Sequence, residues 1–275
     1  MNLADNLAEE SWELLQRVRE RAPLVQNITN FVAMDAAANA VLAVGASPAM
    51  VHAVEEVAEF VTVADALTIN IGTLSSAWVE SMRVAARTAA RLGKPWVLDP
   101  VGVGATAFRR KTATELLDLR PTIVRGNASE IIALAGLAQA RQKGVDSTQT
   151  TAEAEASAML LARTLGGTVV VTGAVDLVTD GTRTVRIANG DPLMTRVTAL
   201  GCALTAVTGA FAAVEKDALL AATAATAVFG LAGETAAKAA RGPGSLRAAL
   251  MDTLHGLDAA VVRAGVRVEA SSPST

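Results

Sequence analysis

The chain has 275 residues, 51% of them hydrophobic and 19% charged, and its 24 basic and 27 acidic side chains leave a formal net charge of −3. This length suffices for one large α/β domain with a sizeable core. This charge argues against a nucleic-acid partner, which would need a basic stripe, and favours a small-molecule ligand.

Strands and helices alternate along the first two thirds of the sequence. Short apolar or β-branched runs predict buried strands at 47–51, 66–72, 95–101, 121–126 and 168–172. Amphipathic or alanine-rich segments between them predict helices over 78–92, 112–119 and 152–165. This alternation is typical of an α/β fold with a mainly parallel central sheet and helices on both faces.

The pattern changes after this region. Runs at 176–179 and 183–187 flank Asp180-Gly181 and predict a hairpin. The segment from Cys202 to about Gly265 is predicted to be nearly all helical, and a tail from about residue 267, rich in Ser, Pro and Thr, is expected to be disordered. We see no repeat or linker, so we predict a single domain for the whole chain, residues 1–275.

The chain's only cysteine cannot form an intramolecular disulfide. Acidic residues interrupt the apolar pattern within the first ten positions, which is unlike a signal peptide. We therefore expect a cytoplasmic protein. Two uncharged stretches, 197–214 and 218–233, approach the length of a membrane span, but their Ala, Thr and Gly content favours buried helices of a soluble core.

A glycine-marked helix start is the sharpest candidate site. The segment VTALGC, residues 197–202, precedes apolar residues at helical spacing, so a helix begins at Thr198 or Gly201. The exposed N–H groups would bind an anion, and the same field would lower the pKa of the Cys202 thiol. Cys202 would then be a base or a nucleophile, although a lone cysteine is more commonly a small buried hydrophobe.

Asp99 opens the segment DPVGVG at the carboxyl end of a predicted strand, where ligands bind in open α/β sheets. Its carboxylate can face a ligand or a metal ion, whereas Asp, Pro and Gly are also ordinary turn residues. The run from Gly102 matches the dinucleotide fingerprint G-x-G-x-x-A. The acidic residue that this fingerprint requires about twenty positions later is absent, which disfavours a dinucleotide site.

Another strand-to-helix junction carries RGNASE, residues 125–130. Asn127 and Glu130 have the spacing of a capping box, which needs no ligand to explain it. Alternatively, Glu130 could hold a hydrated Mg²⁺ and Arg125 could reach a polyphosphate. Thr172, at the end of a further strand, either contacts phosphate or only terminates the strand.

Amide side chains concentrate in the segment 26–30, and Asn70 ends another strand. They could bind a polar heterocycle or satisfy local turns, and Met50 could line an apolar pocket or belong to the core. The sequence contains no G-x-x-x-x-G-K-[ST] motif and no G-x-S-x-G motif. A P-loop enzyme is thereby excluded.

Eight segments, in order over nearly the whole chain, carry a family resemblance: PLVQNITNFV from Pro23, ANAVLAVGASPAMV ending at Val51, LTINIGTLS from Leu67, VLDPVGVGAT from Val97, RGNASEI from Arg125, VTGAVD from Val171, VTALGCALTAVTGAF from Val197 and GPGS from Gly242. They resemble the hydroxyethylthiazole kinases, a family of the ribokinase-like superfamily that serves thiamine biosynthesis and salvage. The resemblance implies that Mg-ATP phosphorylates the hydroxyl of a hydroxyethylthiazole. It also implies a homotrimer with active sites at subunit boundaries.

The resemblance further implies roles for individual residues. Cys202 stands where the wider superfamily usually carries a catalytic Asp, and some relatives have Gly-Ala-Gly-Cys where this chain has Ala-Leu-Gly-Cys, which leaves the geometry of the turn open. The other implied roles are catalysis for Gly201, Mg²⁺ and phosphate contacts through water for Asp99 and Glu130, nucleotide contacts for Arg125 and Thr172, and substrate contacts for Met50, Asn30 and Ala199.

Three alternatives remain at this point. A related kinase could act on a hydroxymethylpyrimidine. A non-catalytic sensor could bind thiazole or thiamine-like ligands, although it would have no need of Asp99, Glu130 and Cys202 together. A thiol-dependent hydrolase would require an activating histidine beside Cys202, and neither His52 nor His255 lies in a supporting motif.

Overall fold

Strands and helices alternate through the residues that the computed structural model describes, 3–140 and 151–271. The strands are β1 (Leu24–Ile28), β2 (Ser47–Ala49), β3 (Ala66–Asn70), β4 (Trp96–Asp99), β5 (Ile123–Asn127), β6 (Thr168–Thr172), β7 (Asp176–Thr179), β8 (Thr184–Ile187) and β9 (Val268–Ser271). The helices are α1 (Leu3–Arg21), α2 (Met34–Ala43), α3 (Val57–Val63), α4 (Ser76–Leu92), α5 (Ala107–Leu117), α6 (Ala128–Ala140), α7 (Thr151–Leu165), α8 (Leu200–Ala212), α9 (Ala218–Ala239), α10 (Pro243–Gly256) and α11 (Ala259–Gly265).

All nine of these strands belong to one sheet, in the order β2-β1-β3-β4-β5-β6-β7-β8-β9. Neighbouring strands are parallel from β2 to β6 and antiparallel from β6 to β9. The prediction of an α/β fold with a mainly parallel sheet is therefore confirmed. Since six parallel strands run side by side, their carboxyl ends meet at one edge of the sheet.

Two hydrophobic layers cover the two faces of the sheet. One is formed with α1, α2 and α8 to α11, and the other with α3 to α7. Alternate residues of a strand point to opposite faces. In β4, Val97 enters the first layer while Trp96 and Leu98 enter the second. This burial on both faces explains why the strands appear in the sequence as continuous apolar runs.

Helix α4 shows how the local sequence sets the bounds of an element. The hydroxyl of Ser75 accepts the N–H of Trp78 at the start of the helix, and Gly93 ends it at a φ of 64°. Both are common terminal signals, since a side-chain oxygen satisfies a free N–H group and glycine adopts positive φ without strain. Trp78, Met82 and Ala85 recur at helical spacing and are buried against the sheet.

Helix α9 is long and apolar enough to cross a membrane by length and composition, yet 78% of its apolar window is buried inside the fold. It packs against α1, α8 and α10. The prediction that this stretch and the preceding one form buried core helices is confirmed by α9 and α8.

Two strands were not predicted. Strand β1 lies inside the parallel sheet, between β2 and β3, although it contains the polar Gln26 and Asn27. Strand β9 contradicts the disorder expected from about residue 267, because Val268 is buried and the segment pairs with β8. The last four residues of the expected tail, 272–275, lie outside the described part of the chain.

Candidate active site

The predicted site residues collect at the carboxyl edge of the parallel sheet. Asn70, Asp99, Asn127 and Thr172 are the last residues of β3, β4, β5 and β6. Asn30 follows β1 by two positions. Helix α8 packs against β1, β3 and β4, so it lies along the same part of the sheet.

Asp99 is a fully buried carboxylate held by three neighbours. Its Oδ2 accepts hydrogen bonds from Asn70 Nδ2 and Thr205 Oγ1, both at 2.8 Å, and lies 3.6 Å from Nη1 of Arg125. Its Oδ1 is buried and has no hydrogen-bond partner among the described residues. Burial raises the pKa of Asp99 to about 6, although the Arg125 charge and the Thr205 hydroxyl act in the opposite direction. The fold therefore retains a buried acid at this position although its ionisation costs free energy.

This raised pKa predicts a specific dependence of stability on pH. Unfolded aspartate releases its proton near pH 4, whereas folded Asp99 holds it up to about pH 6. The free energy of unfolding contributed by Asp99 therefore decreases as pH rises from about 4 to about 6. We expect the wild type to lose on the order of 2 kcal/mol more than Asp99→Asn between pH 4.5 and pH 7.

Urea unfolding of the wild type, Asp99→Asn and the control Asp252→Asn at pH 4.5, 5.5 and 7 measures this difference. The side chain of Asp252 is exposed on α10, so its variant should follow the wild type. If the free energies of unfolding of the wild type and of Asp99→Asn change in parallel with pH, the buried acid titrates normally and the prediction is wrong.

Arg125 joins β4, β6 and α8. Its Nη2 donates to Thr172 Oγ1 at 2.8 Å, and its Nη1 faces Asp99. A Cβ atom at Gly201 would lie 2.6 Å from Nη1 of Arg125. The guanidinium therefore rests against the first turn of α8, and only glycine leaves room for it there. The cation and the amides of the helix start are suited to bind an anion, and we refer to them as the anion-binding region.

The turn before α8 is strained at Ala199. This residue, the N-cap of the helix, has a φ of 66° and provides no side-chain cap. The left-handed conformation costs a residue with a Cβ atom about 1 to 2 kcal/mol. The sequence Ala-Leu-Gly-Cys left the turn geometry open, and the structure shows that alanine adopts the left-handed conformation there. No side chain of the described residues caps the first amides of α8.

Cys202 lies on the first turn of α8 beside two buried amides. Asn30 Nδ2 donates to its Sγ at 3.4 Å and to Asn70 Oδ1 at 2.8 Å. The Asn30 Oδ1 accepts the N–H groups of Val32 and Ala33, which fixes the orientation of the amide.

The predicted direction of the Cys202 pKa is wrong. Burial raises the pKa of the thiol, and the charge of Asp99 raises it further, while the amides of Asn30 and Asn70 and the Arg125 charge act against the rise. The helix dipole argument considers only α8, whereas burial and the carboxylate come from the rest of the fold. The thiol is therefore the main form of Cys202 at neutral pH.

Glu130 satisfies the capping box that its spacing predicts. Its Oε2 accepts the N–H of Asn127 at 2.9 Å, while Asn127 Oδ1 accepts the N–H of Glu130 at 3.0 Å. The second carboxylate oxygen, Oε1, accepts the N–H of Gly102 at 2.9 Å, which ties the loop after β4 to α6. Glu130 also contributes to the raised pKa of Asp99.

A hydrated Mg²⁺ fits the acids at this edge better than a directly ligated ion. No cluster of three or more acidic, histidine or cysteine ligands occurs in the described part of the chain. Mg²⁺ needs only one or two carboxylates when waters and phosphate oxygens complete its shell. The buried Oδ1 of Asp99 has no partner, and Glu130 keeps lone pairs for water.

A cavity of about 500 Å³ extends from the anion-binding region. Arg125, Thr172 and Gly201 line one end. The opposite wall comes from the segment that follows β8 and from α9, with Asn189, Gly190, Met194, Thr226, Phe229 and Gly230. The volume suits a small-molecule ligand. A second cavity of about 1040 Å³ adjoins it and shares Thr172, Gly173, Ala174 and Asp176.

The structure brings together most of the predicted residues. Contacts link Asn30, Asp99, Arg125, Thr172, Gly201 and Cys202. Glu130 joins them through the loop after β4, and Ala199 through the turn before α8. Met50 directly follows β2, at the same edge of the sheet, and packs against the hydrophobic core.

The sequence analysis did not predict two residues of this site, Thr205 and Asp176. Thr205 lies three positions after Cys202 on the same face of α8, so helical spacing could have indicated it. Asp176, within the VTGAVD segment, accepts the N–H of Gly173 at 2.9 Å and lines both cavities. Burial raises the pKa of Asp176 to about 6, against the Gly173 hydrogen bond and the Arg125 charge.

The fold is shared with pyridoxal kinase from Staphylococcus aureus. Its complex with AMP-PCP and pyridoxal superposes with a TM-score of 0.65 at 15% identity, covering 91% of this chain and 99% of that one. This chain therefore has the same α/β fold, and its anion-binding region lies at the carboxyl edge of the sheet. The model of the hydroxyethylthiazole kinase family matches residues 15–260, and the chain belongs to that family.

Individual relatives cover nearly the whole chain. Hydroxyethylthiazole kinase from Cereibacter sphaeroides is 60% identical over 257 residues, which are 94% of this chain and 97% of the relative. The protein of that name from Rhizobium johnstonii is 56% identical over 259 residues, with the same coverage of 94% and 97%. The structure of the hydroxyethylthiazole kinase protein from Pyrococcus horikoshii superposes with a TM-score of 0.89 at 46% identity, covering 96% of this chain and all of its own.

Proposed function

We propose that the protein transfers the γ-phosphoryl group of ATP to the hydroxyl of a hydroxyethylthiazole, within thiamine biosynthesis or salvage. The observation that carries this proposal is the position of Cys202 between the anion-binding region and the buried amide of Asn30. A phosphoryl group held at the start of α8 would lie next to an alcohol placed at Cys202. The family to which the chain belongs supplies the identity of the alcohol.

The phosphate end of the site acts through positioning and charge. In this proposal Arg125, Thr172 and the amides at Gly201 and Cys202 hold the polyphosphate, while the nucleoside extends into the cavity between β6 and α9. Phosphoryl transfer needs electrostatic stabilisation more than covalent help. Asp99 and Glu130 would hold Mg²⁺ through water, and the ion would neutralise charge that builds up on the phosphate oxygens.

The alcohol end of the site acts on the proton. Asn30, Met50 and Ala199 are the proposed substrate contacts, and the small ionised fraction of Cys202 receives the hydroxyl proton at Sγ. The proton leaves late in a loose transition state, so this acceptor is needed only weakly. Since the pKa of Cys202 is raised, we propose that the anion-binding region contributes more to the rate than the thiol does.

Substitution of Cys202 tests its role. Removal of a general base costs about 10²- to 10⁴-fold in kcat, and the small thiolate fraction places Cys202→Ala at the lower end of this range. Cys202→Asp should stay active, because a carboxylate can also receive the proton. Steady-state kinetics of both variants, beside calorimetric titration with the thiazole, measures the effect. An inactive Asp variant that still binds both substrates would contradict the role of proton acceptor.

A direct assay tests the whole proposal. ADP release from Mg-ATP should occur with hydroxyethylthiazole and should be much slower with hydroxymethylpyrimidine or ribose. Turnover only with the pyrimidine would assign the protein to the related kinase. Thiazole binding without turnover would instead indicate a sensor, and no response to the thiazole at all would refute the proposal.

We also propose a cytoplasmic homotrimer of single-domain chains. The single sheet that unites the described strands supports one domain. Phe31 and Val32 support an interface beside the site, because these exposed apolar side chains directly follow Asn30. Light scattering of the purified protein gives the mass of the assembly, and a monomer at micromolar concentration would contradict the trimer.

A further inference from the structure

Arg109 connects two loops at the carboxyl edge of the sheet without lining either cavity. It lies in the first turn of α5, where its N–H donates to the capping hydroxyl of Thr106 at 3.2 Å. Its Nη1 donates to the carbonyls of Ile71 at 2.6 Å and Val101 at 2.7 Å. Its Nη2 donates to the carbonyl of Gly72. One guanidinium thus holds the loop after β3 against the loop after β4.

The loop after β3 supports the alcohol end of the site. The N–H of Gly72 donates to Asn70 Oδ1 at 2.9 Å, while Arg109 binds the carbonyl of the same glycine. A Cβ atom at Gly72 would lie 2.5 Å from Nδ2 of Asn30, so the glycine backbone packs directly behind this amide. The same Nδ2 donates to Sγ of Cys202. The position of Gly72 therefore sets the position of the group that contacts the thiol.

The loop after β4 supports the acidic end. Arg109 binds the carbonyl of Val101, and the N–H of the next residue, Gly102, donates to Oε1 of Glu130. Displacement of Val101 would therefore move the backbone group that fixes the Glu130 carboxylate. Arg109 forms hydrogen bonds with both loops, and a glycine of each loop contacts a proposed site residue, Asn30 or Glu130.

We propose that Arg109 is a positioning residue for phosphoryl transfer, whose guanidinium fixes the spacing between the Asn30–Cys202 end of the site and the Glu130 end. This inference rests on the proposed kinase function. The planar fork of arginine reaches three carbonyl oxygens at once, whereas the ammonium of lysine is a compact point charge on a flexible stem. A small misplacement of reacting groups slows a reaction strongly even when both substrates still bind.

Variants at this position should separate positioning from substrate binding. We expect Arg109→Ala to lower kcat about 10- to 100-fold, with smaller changes in KM for ATP and for the thiazole, because Arg125, Thr172 and the cavity are retained. Arg109→Lys should have an intermediate kcat. Lys111→Ala is the matched control, because Lys111 is an exposed residue of the same helix. Millimolar guanidinium should restore part of the kcat of Arg109→Ala and leave the control unchanged.

Two outcomes would overturn the proposal. One is an Arg109→Ala enzyme with a lower melting temperature but wild-type kcat per folded molecule. The other is a loss of kcat that is as large in Arg109→Lys as in Arg109→Ala and that guanidinium does not relieve. Loss of folded structure alone would give this result. Wild-type turnover, measured in the same series, separates a failure of the Arg109 proposal from a failure of the kinase proposal.

A readout without turnover completes the test. Cys202 is the only cysteine, so the pH dependence of alkylation reports its pKa alone. The amide of Asn30 lowers this pKa, and we expect the value to rise in Arg109→Ala and to stay unchanged in Lys111→Ala. Identical alkylation profiles for all three proteins would show that Arg109 does not position Asn30, whatever the reaction catalysed.

Discussion

Arg125→Ala will lower kcat about 10³-fold, the effect expected when a transition-state arginine is removed from a phosphoryl-transfer site. The residue is nine-tenths buried, contacts Thr172 and lies against the start of α8. Charge that develops on the transferred group would meet this cation in a partly water-excluded region. KM for ATP will rise as well, because the same guanidinium binds the polyphosphate before the reaction.

Two further variants give this prediction its controls. Arg125→Lys keeps the charge but loses the fork that reaches Asp99 and Thr172 together, so it should retain more activity than the alanine variant. Arg87→Ala removes an exposed arginine of α4 and should leave the kinetics unchanged. A rise in KM for ATP with wild-type kcat would show that Arg125 anchors the nucleotide without acting in the transition state.

The sequence predicts a strand best where burial on both faces makes it continuously apolar. Strand β6 has the predicted bounds because Thr168–Thr172 contains three successive valines. Strand β1 escapes prediction because its polar side chains form hydrogen bonds with distant residues. Gln26 donates to the carbonyl of Val51, and Asn27 accepts the hydroxyl of Thr68. These partners are known only once the sheet has formed.

The prediction of a disordered tail fails for a related reason. The composition after residue 267 indicates disorder, but the hydrogen-bonding groups of β8 are available to pair with Val268–Ser271. Register and edge pairing are tertiary properties. The local sequence therefore does not contain the information that orders this strand.

The site could be located from sequence, but its electrostatics could not. Residues at the ends of predicted strands were expected to meet, and Asp99, Arg125 and Thr172 do meet. The helix start was located to within two residues, because α8 begins at Leu200, between the predicted Thr198 and Gly201. The pKa of Cys202 depends on burial and on the Asp99 charge, which belong to other elements of the fold, so a local argument gave the wrong direction.

The buried acid at Asp99 has a cost that packing alone does not explain. Its raised pKa means that ionisation of Asp99 costs more free energy in the folded protein than in the unfolded chain. A neutral side chain could accept the hydrogen bonds of Asn70 and Thr205 without this penalty. Strongly perturbed acids are typical of functional sites, and Oδ1 of Asp99 has no hydrogen-bond partner among the described residues. These observations favour a role for Asp99 in binding the charged reactants.

Gly201→Ala will lower kcat about 10²- to 10³-fold, although the change adds only one methyl group. Its Cβ atom would lie 2.6 Å from Nη1 and 2.8 Å from Nη2 of Arg125, so the guanidinium must leave the helix start. The cation would then no longer meet the anion at the α8 amides, and loss of such a preorganised donor costs about this much. Gly136→Ala is the matched control, because nothing lies within 4 Å of the corresponding position in α6.

A double-variant cycle decides whether the effect passes through Arg125. If the methyl group acts by displacing the guanidinium, then Gly201→Ala should cost little in the Arg125→Ala background, and the two losses should be strongly non-additive. Steady-state kinetics of the wild type, both single variants and the double variant gives this coupling. Additive losses would mean that the methyl group blocks the α8 amides themselves, and that the anion-binding region works without contact between the cation and the helix start.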